Sequence, residues 1–134
     1  MYIIRLFWKF NMTNKKNLTV LIIDDEQDIL DLMEEEFRYS GYTTMVANCG
    51  RDANKILDEV KIDIVVSDYK MPNGNGMSVL SHVNTLAVKP YFFFVSGQAD
   101  VSVEEALKAG AKKFFTKPFD LEELIRDIET HIIK

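Results

Sequence analysis

The chain has 134 residues, 47% hydrophobic and 28% charged, which suits one folded domain with a real core rather than a disordered polymer. Its net charge is −5, and no basic run is longer than the pair Lys15-Lys16, so direct nucleic-acid binding is disfavoured because a phosphate backbone requires clustered positive charge. The single cysteine, Cys49, excludes an internal disulfide and C-x-x-C redox or metal motifs, and no stretch approaches the length of a membrane span.

Residues 1–17 differ in character from the rest. Tyr2, Ile3, Ile4, Leu6, Phe7, Trp8 and Phe10 are apolar, interrupted only by Arg5 and Lys9, and the polar stretch Asn11–Asn17 follows. The apolar run is short, Arg5 breaks it, and no small-residue cleavage pattern follows, so it does not read as a signal peptide. On a helix Arg5 and Lys9 would share one face, which suits docking, self-association or a membrane surface. The alternative is a non-native extension ahead of an ordinary start at Met12. An apolar patch of this size must be covered by something.

From Leu18 onward the pattern is regular. Leu18–Ile23 reads as a buried strand ending on Asp24-Asp25. Glu26–Ser40 reads as a helix with Ile29, Leu30, Met33 and Phe37 on one face and Gly41 as its stop. Thr43–Ala47 is a second strand, and Asp52–Val60 a helix whose Ala53, Ile56, Leu57 and Val60 repeat at helical spacing. Asp63–Ser67 is a third strand that delivers Asp68 into a loop ending Asn73-Gly74-Asn75-Gly76. That loop resembles a hairpin signal, but Met77–Leu86 has helical spacing, so the glycines are assigned instead to a tight loop with its backbone close to a ligand. Tyr91–Val95 is a fourth strand ending on Ser96, and Asp100–Ala109 a helix stopped by Gly110. Lys112–Thr116 is a short fifth strand ending on Lys117-Pro118. Asp120 then caps a last helix striped by Leu121, Leu124, Ile125, Ile128 and Ile132.

Strands that are apolar throughout and alternate with helices predict an α/β fold, a doubly wound parallel sheet with helices on both faces. Ligands in such folds bind beyond the carboxyl ends of the strands. Here those ends carry Asp24-Asp25, Asp68, Ser96 and Lys117. Singly, each has an ordinary reading: helix cap, turn residue or solvated charge. Together they suggest chemistry. Three carboxylates repel unless a cation sits among them, and an all-oxygen set points to Mg²⁺, with Mn²⁺ as the alternative. A lysine ammonium and a serine hydroxyl suit phosphoryl oxygens, which leaves Asp68 as nucleophile toward phosphorus.

These residues resemble the receiver domains of bacterial two-component response regulators. The resemblance rests on Ile22-Ile23-Asp24-Asp25-Glu26, Asp68-x-x-Met71-Pro72-x-x-x-Gly76, Val95-Ser96-Gly97 and Lys117-Pro118-Phe119, and it covers residues 18–134. It implies the flavodoxin-like strand order 2-1-3-4-5. It further implies Asp68 as phosphoacceptor, with Mg²⁺ bound by Asp68, by Asp25 directly, by Asp24 through water and by the backbone carbonyl of Lys70. Ser96 and Lys117 would each bind a phosphoryl oxygen, the Lys117–Pro118 peptide would be cis, and Phe114 would hold the aromatic switch position. Phe114 lacks the hydroxyl that a tyrosine would have there, and Lys70 adds a charge at the mouth of the site.

The implied role is cytoplasmic signalling. A histidine kinase or phosphotransfer protein would donate to Asp68, and the face formed by Asp100–Lys134 would contact a downstream protein or a second copy. The rival is a Mg²⁺-dependent phosphohydrolase with an aspartyl-phosphate intermediate. Such enzymes carry a second aspartate two residues after the nucleophile, where this chain has Lys70. A passive phosphate sink is a further alternative, whereas a Rossmann-type nucleotide binder lacks its glycine motif after the first strand.

Overall fold

A computed structural model describes residues 18–71, 75–97, 103–117 and 119–132. The extension 1–17, expected to be a separate segment, lies outside these residues, as does Pro118 and with it the expected cis peptide. The described elements run β1 (Thr19–Ile23), α1 (Gln27–Tyr39), β2 (Thr43–Ala47), α2 (Gly50–Glu59), β3 (Ile64–Asp68), α3 (Gly76–Val83), β4 (Tyr91–Ser96), α4 (Val103–Lys108), β5 (Lys113–Thr116) and α5 (Leu121–Ile132). The five strands form one sheet in the order β2-β1-β3-β4-β5, and every pairing is parallel. The expected doubly wound α/β architecture is therefore the observed one.

Period-two alternation divides the strands between two apolar layers. Leu21, Ile23, Val65, Phe92 and Phe94 face the layer completed by Leu57 of α2, Val79, Leu80 and Val83 of α3 and Ala106 of α4. Val20, Ile22, Ile64, Val66, Phe93 and Val95 face the opposite layer, completed by Leu30, Met33 and Phe37 of α1 and by Leu124, Ile125 and Ile128 of α5. Strands covered on both faces have no solvated side, which is why they read as continuous apolar runs.

Local chemistry sets the boundaries. Gly41 and Gly110 adopt positive φ values of 101° and 116°, ending α1 and α4 as their positions predict. Beyond Gly41 the Tyr42 N–H reaches back to the Phe37 carbonyl at 3.1 Å. Asp120 caps α5, its Oδ1 accepting from the Glu122 and Glu123 N–H groups at 2.9 and 3.3 Å. The third helix is shorter than expected: α3 stops at Val83, and Thr85 and Leu86 bond three residues back, to His82 and Val83, in a tightened last turn.

One buried polar contact was not anticipated. Glu129, on the inner face of α5, is 2% exposed and accepts a 2.8 Å hydrogen bond from the Tyr42 hydroxyl. Burial, reinforced by the neighbouring Glu129 carboxylate, pushes the phenol well above its ordinary range and keeps it a donor. The bond ties α5 to the segment between α1 and β2. Tyr42→Phe removes one donor from a buried carboxylate and is expected to destabilise the domain by about 1–3 kcal/mol. A lower urea midpoint at unchanged slope is the measurement that checks it.

Candidate functional site

Strand register brings the chemistry-bearing residues to one edge. Ile23 pairs with Ser67, Asp68 with Val95 and Ser96 with Thr116, so Asp24, Asp68, Ser96 and Lys117 all emerge at the carboxyl end of the sheet. Alternation also sets their side. Asp24 and Asp68 fall in phase with Ile22 and Val66, and Lys117 in phase with Phe115, residues of the layer beneath α1 and α5.

Backbone bonds hold these strand ends in place. The Tyr69 N–H donates to the Val95 carbonyl at 2.9 Å, and the Tyr69 carbonyl accepts from Gly76 N–H at 2.8 Å. The Lys117 N–H donates to the Ser96 carbonyl at 2.7 Å. Gly76 packs so closely that a Cβ there would lie 2.5 Å from both the Asp68 carbonyl oxygen and Phe94 Cε1. Only glycine fits, and the close approach that Gly76 permits is to the Asp68 backbone and the Phe94 ring of the chain itself. Asn75 caps α3 by accepting from the Ser78 N–H at 3.2 Å.

Asp24, Asp25 and Asp68 each present a carboxylate oxygen, and these atoms lie within 4.8 Å of one another. Asp24 is fully buried and Asp68 is 6% exposed, while Asp25 faces solvent. Both oxygens of Asp24 are engaged: Oδ1 accepts from the Glu26 N–H at 2.9 Å and Oδ2 from Lys117 Nζ at 3.3 Å. Asp24 is thus both the local turn former and a member of the cluster. Lys117 Nζ also lies 3.6 Å from Asp68 Oδ2 and 4.0 Å from Glu26 Oε1.

The charges do not balance. Burial, then Asp24, raises the Asp68 carboxyl from 3.8 to about 6 against the opposing pull of Lys117; Asp25 raises it further and a hydrogen bond from the Tyr69 N–H lowers it. Burial works against the Lys117 ammonium, but Asp24, Asp68 and Glu26 outweigh it and hold the lysine above its ordinary value. One ammonium among this many carboxylates leaves a net negative, all-oxygen site, the donor set that fits a hard divalent cation.

The other expected residues lie where the topology carries them. Ser96 is fully buried at the end of β4. Lys70 is exposed two residues past Asp68. The Phe114 ring packs 5.5 Å from that of Tyr69 and 5.7 Å from that of Phe94, forming an aromatic bridge between β5 and the residue following Asp68. Sequence reasoning missed Tyr69, Glu26 and Ser67, whose hydroxyl donates to the Asp68 carbonyl at 2.8 Å. Glu26 sits beside the acidic pair and could have been suspected, whereas the roles of Tyr69 and Ser67 depend on three-dimensional packing.

The raised Asp68 carboxyl has a stability consequence in metal-free protein. A raised acid holds its proton more tightly folded than unfolded, so its contribution is fully present below pH 3.8 and is lost as the pH rises to about 6. Asp68→Asn is expected to abolish that decline and to stabilise the chelator-treated protein at pH 7 by about 1–3 kcal/mol. Melting curves across pH, without and with Mg²⁺, check this, and the gap should narrow when Mg²⁺ is added.

Comparison with known proteins agrees with this geometry. Residues 20–129 match the family model of the response regulator receiver domain. The chain is 32% identical over 107 residues to the response regulator SaeR of Staphylococcus epidermidis, covering 79% of this chain and 46% of that protein. It is 31% identical over 105 residues to the uncharacterized transcriptional regulatory protein YrkP of Bacillus subtilis, covering 78% of this chain and 45% of the relative. It therefore spans less than half the length of these relatives. A response regulator receiver domain protein of Clostridium thermocellum superposes with a TM-score of 0.80 at 27% identity, covering 87% of this chain and 94% of that one. The fold, a parallel sheet in the order β2-β1-β3-β4-β5, is thus shared with solved receiver domains, and the chain belongs to the response regulator receiver domain family.

Proposed function

We propose that Asp68 is the phosphoacceptor of a two-component signalling step. The observation that carries this reading is a nearly buried carboxylate, raised by its burial and then by its acidic neighbours, with a lysine ammonium at 3.6 Å. An Asp68 oxygen attacks the phosphorus of a phosphohistidine on a histidine kinase or phosphotransfer protein. The P–N bond breaks, the imidazole leaves, and an acyl phosphate remains on Asp68. Asp25, Asp68, the Lys70 carbonyl and, through water, Asp24 would hold Mg²⁺ or Mn²⁺, which when bound neutralises charge on the phosphoryl oxygens. Lys117 pairs with one phosphoryl oxygen, and the Ser96 hydroxyl donates to another.

The acyl phosphate adds about two negative charges beside residues already linked to β4 and β5. Lys117 is bonded through its backbone to Ser96, and Phe114 packs against Tyr69, so both have a route from the site to the far side of the sheet. Inward movement of Ser96 and Phe114 would reshape the face formed by Asp100–Lys134, the surface for a downstream protein or a second copy. Among the described residues no helix is long and apolar enough to cross a membrane.

Incubation with acetyl phosphate and Mg²⁺ is expected to add one phosphoryl group to the wild type and none to Asp68→Asn, read by intact mass. An unmodified wild type that also resists a phosphohistidine donor would overturn the assignment. Many turnovers of a small phosphoester per protein would instead favour the phosphohydrolase reading. Lys70 is exposed at the mouth of the site, and its charge is expected to set the lifetime of the acyl phosphate. Lys70→Ala should therefore change the dephosphorylation rate of purified phosphoprotein, and equal rates for the two proteins would remove that role.

A further inference from the structure

An apolar groove runs along the α1/α5 face, and of its lining residues only Lys117 belongs to the site described above. Ile29, Leu32 and Met33 of α1 form one wall, Phe119 and Leu121 the other, and Lys117 lies at the site end. Its volume is about 400 Å³. That lies within the roughly 300–1,000 Å³ usual for ligand pockets. Leu32 is 53% exposed there, an unusual position for a large apolar side chain flanked by other apolar residues.

We propose that the groove is occupied by the chain's own residues 2–10. This segment carries seven large apolar residues, more than any other stretch outside the described fold, and they need cover. It can reach. Leu18 packs at the start of β1 on the same α1/α5 layer that the groove continues. The groove lies near the other end of that strand, and five residues of β1 span about 17 Å. The polar spacer Asn11–Asn17 covers up to about 23 Å when extended.

Charge agrees with the fit. Arg5 and Lys9 are the charged residues of segment 2–10, and both are basic. On α1, Asp28 and Glu36 stand one turn before and one turn after Leu32 on the same ridge, so the groove wall is flanked by acids. A docked segment buries its aromatics against Leu32 while its cations meet that acidic ridge.

Trp8 is the single tryptophan of the chain and so reports on the segment without labelling. In the full chain its emission is expected to be shifted to the blue of a solvated indole, independently of protein concentration. Leu32→Glu is expected to return it to the solvated wavelength while leaving the melting temperature unchanged, because Leu32 is half exposed. If that variant melts lower, Leu32→Ser is read in the same way. Solvated emission in the wild type overturns the proposal. So does a blue shift that disappears on dilution, which assigns the groove to a second copy's segment. A blue shift that survives both Leu32 variants places the segment elsewhere and overturns it as well.

Discussion

The concentration of negative charge at the carboxyl end of β1 and β3 is the constraint on which the rest of the site depends. Asp24 and Asp68 leave adjacent parallel strands in the same phase, so the sheet forces them together with little water to screen them. Lys117 offsets part of this repulsion, reaching Asp24 at 3.3 Å and Asp68 at 3.6 Å. What remains is a net negative cluster of carboxylate oxygens, a donor set that could hold a hard cation. A region optimised only for stability would not hold this arrangement, and the departure from ordinary packing rules marks where function is located.

Around that charge the backbone is held by specific contacts. Tyr69 is bonded on one side to β4 and on the other to the start of α3, and Gly76 lies against the Asp68 carbonyl where no side chain could fit. The Asp68 carboxylate thus projects from a backbone held by these contacts, the preorganisation that the proposed transfer would require. The same contacts connect outward. The Tyr69, Phe94 and Phe114 rings form one cluster, which places the residue after Asp68 in packing contact with β4 and β5.

The fold was largely legible because each local signal agreed with the next. Apolar strands, striped helices, Gly41 and Gly110 as stops and Asp120 as a cap all pointed to the same βα alternation. The errors were at ends. The last turn of the third helix was expected to continue to Leu86, but it tightens after Val83, and a boundary governed by three-residue bonds leaves little trace in apolar spacing. Nothing in the sequence neighbours of Glu129 indicates that Tyr42, far away in the chain, bonds it in the buried interior.

By itself, the sequence determined the element order, the parallel sheet and the identity of the residues at its carboxyl edge, because periodicity, caps and strand-end polarity are local properties. Tertiary structure alone decided how those residues share the site. Both oxygens of Asp24 are occupied while Asp25 faces water, a difference that neighbouring aspartates cannot reveal in one dimension. Tyr69 and Ser67 support Asp68, and Glu26 joins the Lys117 network, because strand register and the packing of α3 bring them there. Charge balance and burial are sums over neighbours in space, and the chain must fold before those neighbours exist.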